Sequence, residues 1–327
     1  MSNRVIVADL HLDNDPLTEY RWKVFEVISN LAEEIGADYV DILGDLTERK
    51  DKHPSSLVNK IADEVLKLSQ ISCVRILKGN HDYVDEKEPY FEFLEQIQNV
   101  LYFSENESHG NTLFLPHSKN FMFPDKIGME IKYIYMHQPI IGAVTQNGYI
   151  LEDGITVPNI NGVKIYSGDI HTPQTIKGVT YIGSPYHVYA GDVYSGRIIS
   201  IQDGKEHKHL TNDLFPSLWS LYLNNDDLSD KWYHRIKRGD HLKIKVNLEK
   251  SEYHEWEKIK KDIKSICENN GIILTSLEMK PVQNNTPIKE EEIKLTLDTD
   301  YKAIIDKYAE KEKLDAEFVN AAYDMVI

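Results

Sequence analysis

Apolar positions along the first 135 residues repeat at two different periods. Short β-branched runs at 4–8, Tyr39–Leu43 and Cys73–Leu77 read as buried strands, whereas 17–35 and Ser55–Ser69 read as amphipathic helices. Such alternation predicts an α/β layer structure with a mainly parallel central sheet. Between 131 and 210 the runs shorten and carry hairpin punctuation, as at 174–182 around Gly178, which predicts a second sheet packed on the first. A boundary falls at 211–216, Thr-Asn-Asp-Leu-Phe-Pro. Beyond it, a strand at 241–247, a helix at 252–267 and a strand at 272–278 make a small β-α-β unit. Residues 284–287 break the chain, and 301–327 reads as two short helices separated by 312–315. Their apolar stripes, Ile304, Ile305 and Tyr308 on one and Val319, Ala322, Tyr323 and Val326 on the other, must be buried against something. Three parts follow: 1–210, 211–283 and 284–327.

At 327 residues the chain exceeds one ordinary domain of roughly 100–200 residues. Its 41% apolar content is enough for a real core, yet no window approaches the ~20 apolar residues of a membrane span. Met-Ser-Asn-Arg-Val-Ile-Val runs straight into a strand, so no leader is expected. Cys73 and Cys267 offer no disulfide framework, which points to a reducing cytoplasm. The net charge of −16 argues against a protein that holds nucleic acid by bulk charge. It leaves room for a nucleic-acid enzyme whose positive charge arrives as bound metal or on a partner.

Five short motifs each follow an apolar run: Ala8-Asp9-Leu10-His11, Leu43-Gly44-Asp45, Lys78-Gly79-Asn80-His81, Tyr135-Met136-His137 and Ser167-Gly168-Asp169-Ile170-His171. Strand ends of open α/β sheets are where ligand-binding side chains converge. Each motif alone is weak, since Gly-Asp after a strand is commonly a turn and a lone histidine there is commonly a core residue. The ordered set is different. It can bring carboxylates, imidazoles and one amide to a common point, and mixed N and O donors suit Mn²⁺, Fe²⁺ or Zn²⁺ better than Ca²⁺.

In that order the motifs resemble the calcineurin-like metallophosphoesterase superfamily. Tyr181-Ile182-Gly183-Ser184-Pro185 followed by Ala190-Gly191-Asp192 is similar to the corresponding segment of SbcD-type DNA repair nucleases and of phage recombination endonuclease subunits. The resemblance spans 4–200 and continues more faintly through 211–283, where that family has its DNA-capping domain. It implies a two-sheet αββα sandwich with a small α+β cap and a C-terminal helical tail. It also implies two divalent ions, Mn²⁺ or else Mg²⁺, that clamp a phosphate, activate water and neutralise the leaving oxygen. Carried over by motif, Asp9, His11 and His171 hold the first ion and Asp45 bridges. Asn80 and His137 hold the second, with Asp169 in the remaining place. There the common Gly-His-x-His is replaced by Gly168-Asp169-Ile170-His171, so the ligand set gains a carboxylate. His81 matches the catalytic histidine that orients the phosphate and protonates the departing oxygen, or else only positions Asn80, and Asp82 supports the turn or the ligands around it. The resemblance further implies DNA as substrate, an SbcC-like ABC-type ATPase docked on the terminal helices, a homodimer and no membrane.

Several features stay outside that set. His53, His109, His117, His207 and His209 lie in polar stretches and read as solvated, as does the acidic run 290–292. His187 is placed near the site, with either a substrate or a supporting role. The stretch 232–238, Trp-Tyr-His-Arg-Ile-Lys-Arg, fits both a phosphate-backbone contact and cap core. The expected activity is Mn²⁺-dependent DNA exonuclease or endonuclease chemistry. A phosphatase or phosphodiesterase acting on proteins or small molecules is the alternative, and an inactive scaffold is disfavoured by the completeness of the motifs.

Overall fold

The computed structural model describes residues 2–158, 160–229 and 231–282. The expected terminal helices and their linker lie outside the described residues. Twelve strands precede the cap: β1 (Arg4–Val7), β2 (Tyr39–Leu43), β3 (Cys73–Leu77), β4 (Val100–Phe103), β5 (Glu107–His109), β6 (Thr112–Leu115), β7 (Tyr133–His137), β8 (Lys164–Gly168), β9 (Gln174–Ile176), β10 (Val179–Tyr181), β11 (Arg197–Gln202) and β12 (Lys205–Leu210). They form two six-stranded sheets, ordered β12-β11-β1-β2-β3-β4 and β5-β6-β7-β8-β10-β9. Strands β1 to β4 run parallel, with β11 antiparallel to β1.

This is the expected two-sheet α/β sandwich, with two corrections to its boundaries. The second sheet starts at 107, earlier than the 131 expected, and the β11–β12 hairpin at 197–210 returns to the first sheet. The second correction follows from pairing: β1 has one free edge, which the buried run Arg197–Ile201 fills.

Helix α1 (Lys23–Ile35) buries Val24, Phe25, Ile28, Leu31 and Ala32, and α2 (Ser55–Ser69) buries Leu57, Ile61, Val65 and Leu68. These stripes cover the outer face of the first sheet, against Val5, Val7, Val40, Ile42, Val74 and Ile76. Helix α1 ends at Gly36, whose φ of 58° suits the left-handed cap that glycine adopts without penalty. The start of the helix expected at 17–35 is a 3-10 segment, Pro16–Trp22, started by Pro16 and capped by Asp15. Between the sheets, Ile6, Leu43, Leu77 and Phe103 meet Phe114, Tyr133, Tyr135 and Tyr166, and the Phe103 and Phe114 rings stack at 3.7 Å. The outer cover of the second sheet is irregular chain around Phe121, Phe123, Leu151 and Ile160.

The segment after 211 carries β13 (Leu218–Asn224), β14 (His241–Leu248), α3 (Trp256–Asn270) and β15 (Ile273–Pro281). All three strands are parallel, in the order β13-β14-β15. The β-α-β unit read from the sequence is present, and β13 is an additional strand beside it. Ile259, Ile263 and Cys267 of α3 pack on Leu242, Ile244, Val246 and Leu248. Trp232, Tyr233 and Ile236 join that core, which decides the dual reading of 232–238 for its apolar members. The sheet is fixed to the sandwich by the Gly191 amide donating to the Leu218 carbonyl (2.8 Å), and by the Leu218 amide donating to Nδ1 of His187 (3.2 Å). His187 is thus a fastening for the cap.

Candidate metal centre

All five motifs leave the C-terminal ends of parallel strands: β1, β2 and β3 in one sheet, β7 and β8 in the other. Asp9, His11, Asp45 and Asp169 have positive φ values of 55°, 42°, 53° and 84°. Such backbone costs of order 1–3 kcal/mol per residue and gathers at functional sites. It turns successive side chains inward where a continuing strand would alternate them. Glycine is required where these ends cross: a Cβ on Gly44 would sit 2.2 Å from Nδ1 of His137, and one on Gly79 would sit 2.3 Å from the Asp45 amide. The loops are then laced together, His11 N–H donating to Asp45 O at 2.9 Å and Asp9 N–H to Gly44 O at 3.2 Å.

The predicted ligands converge. Donor atoms of Asp9, His11 and His171 lie within 4.8 Å of one another, as do those of Asp9, Asp45 and His137, and of His11, Asp45 and His81. Asp45 joins the groups, with Oδ2 3.5 Å from Nε2 of His11 and Oδ1 3.4 Å from Nε2 of His137. Oδ1 of Asn80 lies 3.3 Å from the same His137 nitrogen. His137 donates Nδ1–H to the Leu43 carbonyl at 2.7 Å, which fixes its tautomer and turns Nε2 to the site. The Asp169 amide donates to Oδ1 of Asp9 at 2.9 Å, but its carboxylate is absent from the three converging groups.

Buried polar atoms are ordinarily satisfied. Here Asp9 Oδ2, His11 Nε2 and His171 Nδ1 are buried without a hydrogen-bond partner, in one place. An oxygen and two imidazole nitrogens left this way fit a divalent ion. Without one, burial opposes charge on His137, but the Asp45 carboxylate outweighs it and holds the imidazole up to about 10. Burial pushes Asp9 up to about 7, with His137 opposing and Asp45 adding, and pushes Asp169 up to about 6. Asp45 is held well below the usual carboxylate range, His137 and His11 overcoming its burial.

Glu48 is a site residue that motif reading missed. Its Oε2 lies 3.2 Å from Nδ1 of His11 and 3.7 Å from Arg21, Oε1 accepts from the Tyr189 hydroxyl (3.1 Å), and its carbonyl accepts Nδ1–H of His81 (2.6 Å). Tyr189 in turn stacks on His171, with centroids 5.7 Å apart. Asp82 accepts from three amides, those of Asp45 (3.0 Å), Leu46 (3.0 Å) and Gly79 (2.7 Å). The expected solvated histidines need correction. His117 bonds Tyr83 (2.8 Å) with its ring 6.2 Å from that of His137, and burial pushes it down to about 4. His53 bonds Thr47, His209 bonds Ser200, and His109 packs on Tyr39 and Phe103; His207 is exposed.

A family model, calcineurin-like phosphoesterase, matches residues 3–173. Similar solved structures include nuclease MPE of Pseudomonas putida, 14% identical over 63% of this chain and 87% of that one, TM-score 0.34. The phosphoesterase Yfce of E. coli is 15% identical over 65% of this chain and 94% of that one, TM-score 0.32. No curated protein matches. With the family model covering more than half its length and the strand-end ligands gathered at one point, the chain belongs to the calcineurin-like phosphoesterases, metal-dependent hydrolases of phosphoesters.

Proposed function

We propose that the chain is the nuclease subunit of an SbcD-type or phage recombination complex, hydrolysing phosphodiester bonds of DNA. The observation that carries this reading is the joint between site and cap. Asp192 accepts from the amides of Val188 and Tyr189 at 2.9 Å each, and this turn presents Tyr189 to His171. The next residue back, Gly191, bonds the first strand of the cap. A small-molecule esterase has no need of a third sheet fastened to its ligand loop; a polymer substrate has a use for that surface.

When bound, two divalent ions supply charge neutralisation and Lewis acidity at the phosphoryl group. Asp9, His11, His171 and Asp45 would hold one, and Asp45, Asn80, His137 and Asp169 the other. The chain's own part falls to His81. Its main-chain N–H donates to Oδ1 of Asp45 at 2.8 Å, and Nδ1–H is committed to Glu48 O. Nε2 is the ring nitrogen left for the departing oxygen, and it can pass a proton only from the doubly protonated ring, a form that burial disfavours.

A chain of net charge −16 should grip DNA weakly by itself, with steep loss as salt rises. An ATPase partner docked on residues 301–327 would supply that grip, the nuclease subunit would pair as a homodimer, and both would work in the cytoplasm. The test is cleavage of linear duplex DNA with Mn²⁺, with and without chelator, and with His81→Ala. Chelator-sensitive cleavage lost in His81→Ala supports the reading. No cleavage by wild type, alone or with an ATPase partner, would move the assignment to a phosphatase or small-molecule phosphodiesterase. Deleting 298–327 should abolish co-purification with the ATPase and leave the free subunit's Mn²⁺-dependent cleavage.

A further inference from the structure

We infer that a cleft beside the metal centre binds one unpaired nucleotide next to the scissile phosphate. The inference rests on the DNA nuclease reading and deepens it. The loops carrying His11 and Glu48 are bridged where the Leu12 amide donates to Leu46 O (3.0 Å) and the Glu48 amide to Leu12 O (3.0 Å). Past this bridge they part around a cavity of about 450 Å³, which lies within the ~300–1,000 Å³ of small-molecule clefts. Leu12, Leu57, Pro16 and Pro54 give it apolar walls, and Arg49 and Lys52 line its rim.

Three observations favour a nucleotide. Arg49 and Lys52 are exposed, and among the described residues neither side chain makes a hydrogen bond or ion pair. In a chain of net charge −16, cations left unpaired beside a phosphoesterase centre are available to phosphate. Between them in the chain, Lys50 is exposed but does not line the cleft. Two of the loop's three cations, Arg49 and Lys52, are therefore on the cleft. Finally, the two acids of the lining are partly tied to main chain, Asp13 accepting from the Asp15 amide (2.9 Å) and Asp15 from the Leu17 amide (2.9 Å). Their remaining oxygens can accept from exocyclic amino groups of a base. Apolar walls, acceptors and a cationic rim match a base and its phosphate, and a base can enter only when it is out of the duplex.

The test uses the full chain with Mn²⁺, a single-stranded oligonucleotide of mixed sequence, and bis(p-nitrophenyl) phosphate, which is too short to reach the cleft. Arg49→Gln/Lys52→Gln should lower kcat/KM on the oligonucleotide by about tenfold or more, mainly through KM, and change it on the aryl ester by less than about threefold. The slope of log kcat/KM against log salt on the oligonucleotide should become shallower by about 1.4, for two phosphate contacts on a single strand. Pro54→Trp, which narrows the cleft without changing charge, should lower oligonucleotide turnover with the salt slope kept. Equal losses on both substrates, or an unchanged oligonucleotide KM and slope, would overturn the subsite while leaving the nuclease reading intact. Aryl ester hydrolysis with no DNA cleavage by wild type would remove the nuclease reading and the subsite together.

Discussion

The main-chain amide of Asp169 donates a hydrogen bond of 2.9 Å to Oδ1 of Asp9, so the residue that departs from the family pattern also positions Asp9, the residue proposed to hold the other ion. This contact is made by backbone and survives any side-chain change. Side-chain substitutions at 169 therefore report on the carboxylate alone. Its side chain is half-buried and lies outside the three converging groups, and burial pushes its carboxyl up to about 6, with His137 opposing and Asp45 adding. Asp169→Ala is expected to lose the second ion and most activity. Asp169→His, with a side chain comparatively tolerant of the φ of 84°, should keep two ions. Replacing a carboxylate by a neutral ligand makes that site more electropositive, and the pH–rate profile should move to lower pH. Metal counting by atomic emission checks both variants; two ions and near-normal turnover in Asp169→Ala would show that the carboxylate is not a ligand.

Glu48 acts through His11. Its carboxylate sits 3.2 Å from Nδ1 of that ligand, the outer partner that fixes an imidazole and raises its basicity. Glu48→Gln keeps shape and removes charge, and should weaken binding at the first site by about 10–100-fold. The bond from His81 is to the Glu48 carbonyl and should persist, so kcat at saturating Mn²⁺ should recover more than affinity does. Isothermal titration with Mn²⁺ measures the first quantity. An unchanged affinity would demote Glu48 to loop structure.

Much of this site was legible because its ligands follow apolar strands at recognisable spacings. Asp9, His11, Asp45, His137 and His171 could be named from residues that precede and follow them. Glu48 could not. It lies on an irregular loop three residues past Asp45, and its place beside His11 is made by the Leu12–Thr47 bridge between two loops that no periodicity announces. The same limit explains β13: Leu218–Asn224 is only partly buried along most of its length, so its strand character comes from pairing with β14. Leu17–Trp22 reads as helix by its apolar spacing, but Pro16 and the Asp15 cap set a 3-10 turn first.

Loading of the metal should release protons. Without ions His137 is charged at neutral pH, raised to about 10 as Asp45 overcomes the opposing burial, and Asp9 is half protonated near pH 7. A ligand imidazole must be neutral and a ligand carboxylate ionised. At pH 8, a proton should leave from His137; toward pH 6, protons on Asp9, on Asp169, and on His11, which Glu48 and Asp45 hold up against its burial, add to it. Since protons leave on binding, affinity rises with pH across this range. Titrating Mn²⁺ in buffers of different ionisation enthalpy gives the count directly. A binding enthalpy independent of buffer at pH 7 would contradict the charged His137.

Asp82 holds the two loops that deliver Asp45 and Asn80, and its effect should be separable from the metal's. The carboxylate is fully buried and accepts the amides of Asp45, Leu46 and Gly79. Burial, and then the Asp45 charge, push it up to about 6, while the Gly79 and Leu46 amides pull the other way. Asp82→Ala leaves three buried donors without an acceptor, at a cost of roughly 3 kcal/mol or more. Asp82→Asn keeps one oxygen but turns an NH₂ group toward a donor, and should cost about half as much. Because the clamp is protein to protein, both losses should appear in urea unfolding with chelator present, where wild type and variants are equally free of metal. If the variants unfold with wild-type midpoints in chelator and differ only when Mn²⁺ is added, Asp82 works through the ions and the loop-clamp account is wrong.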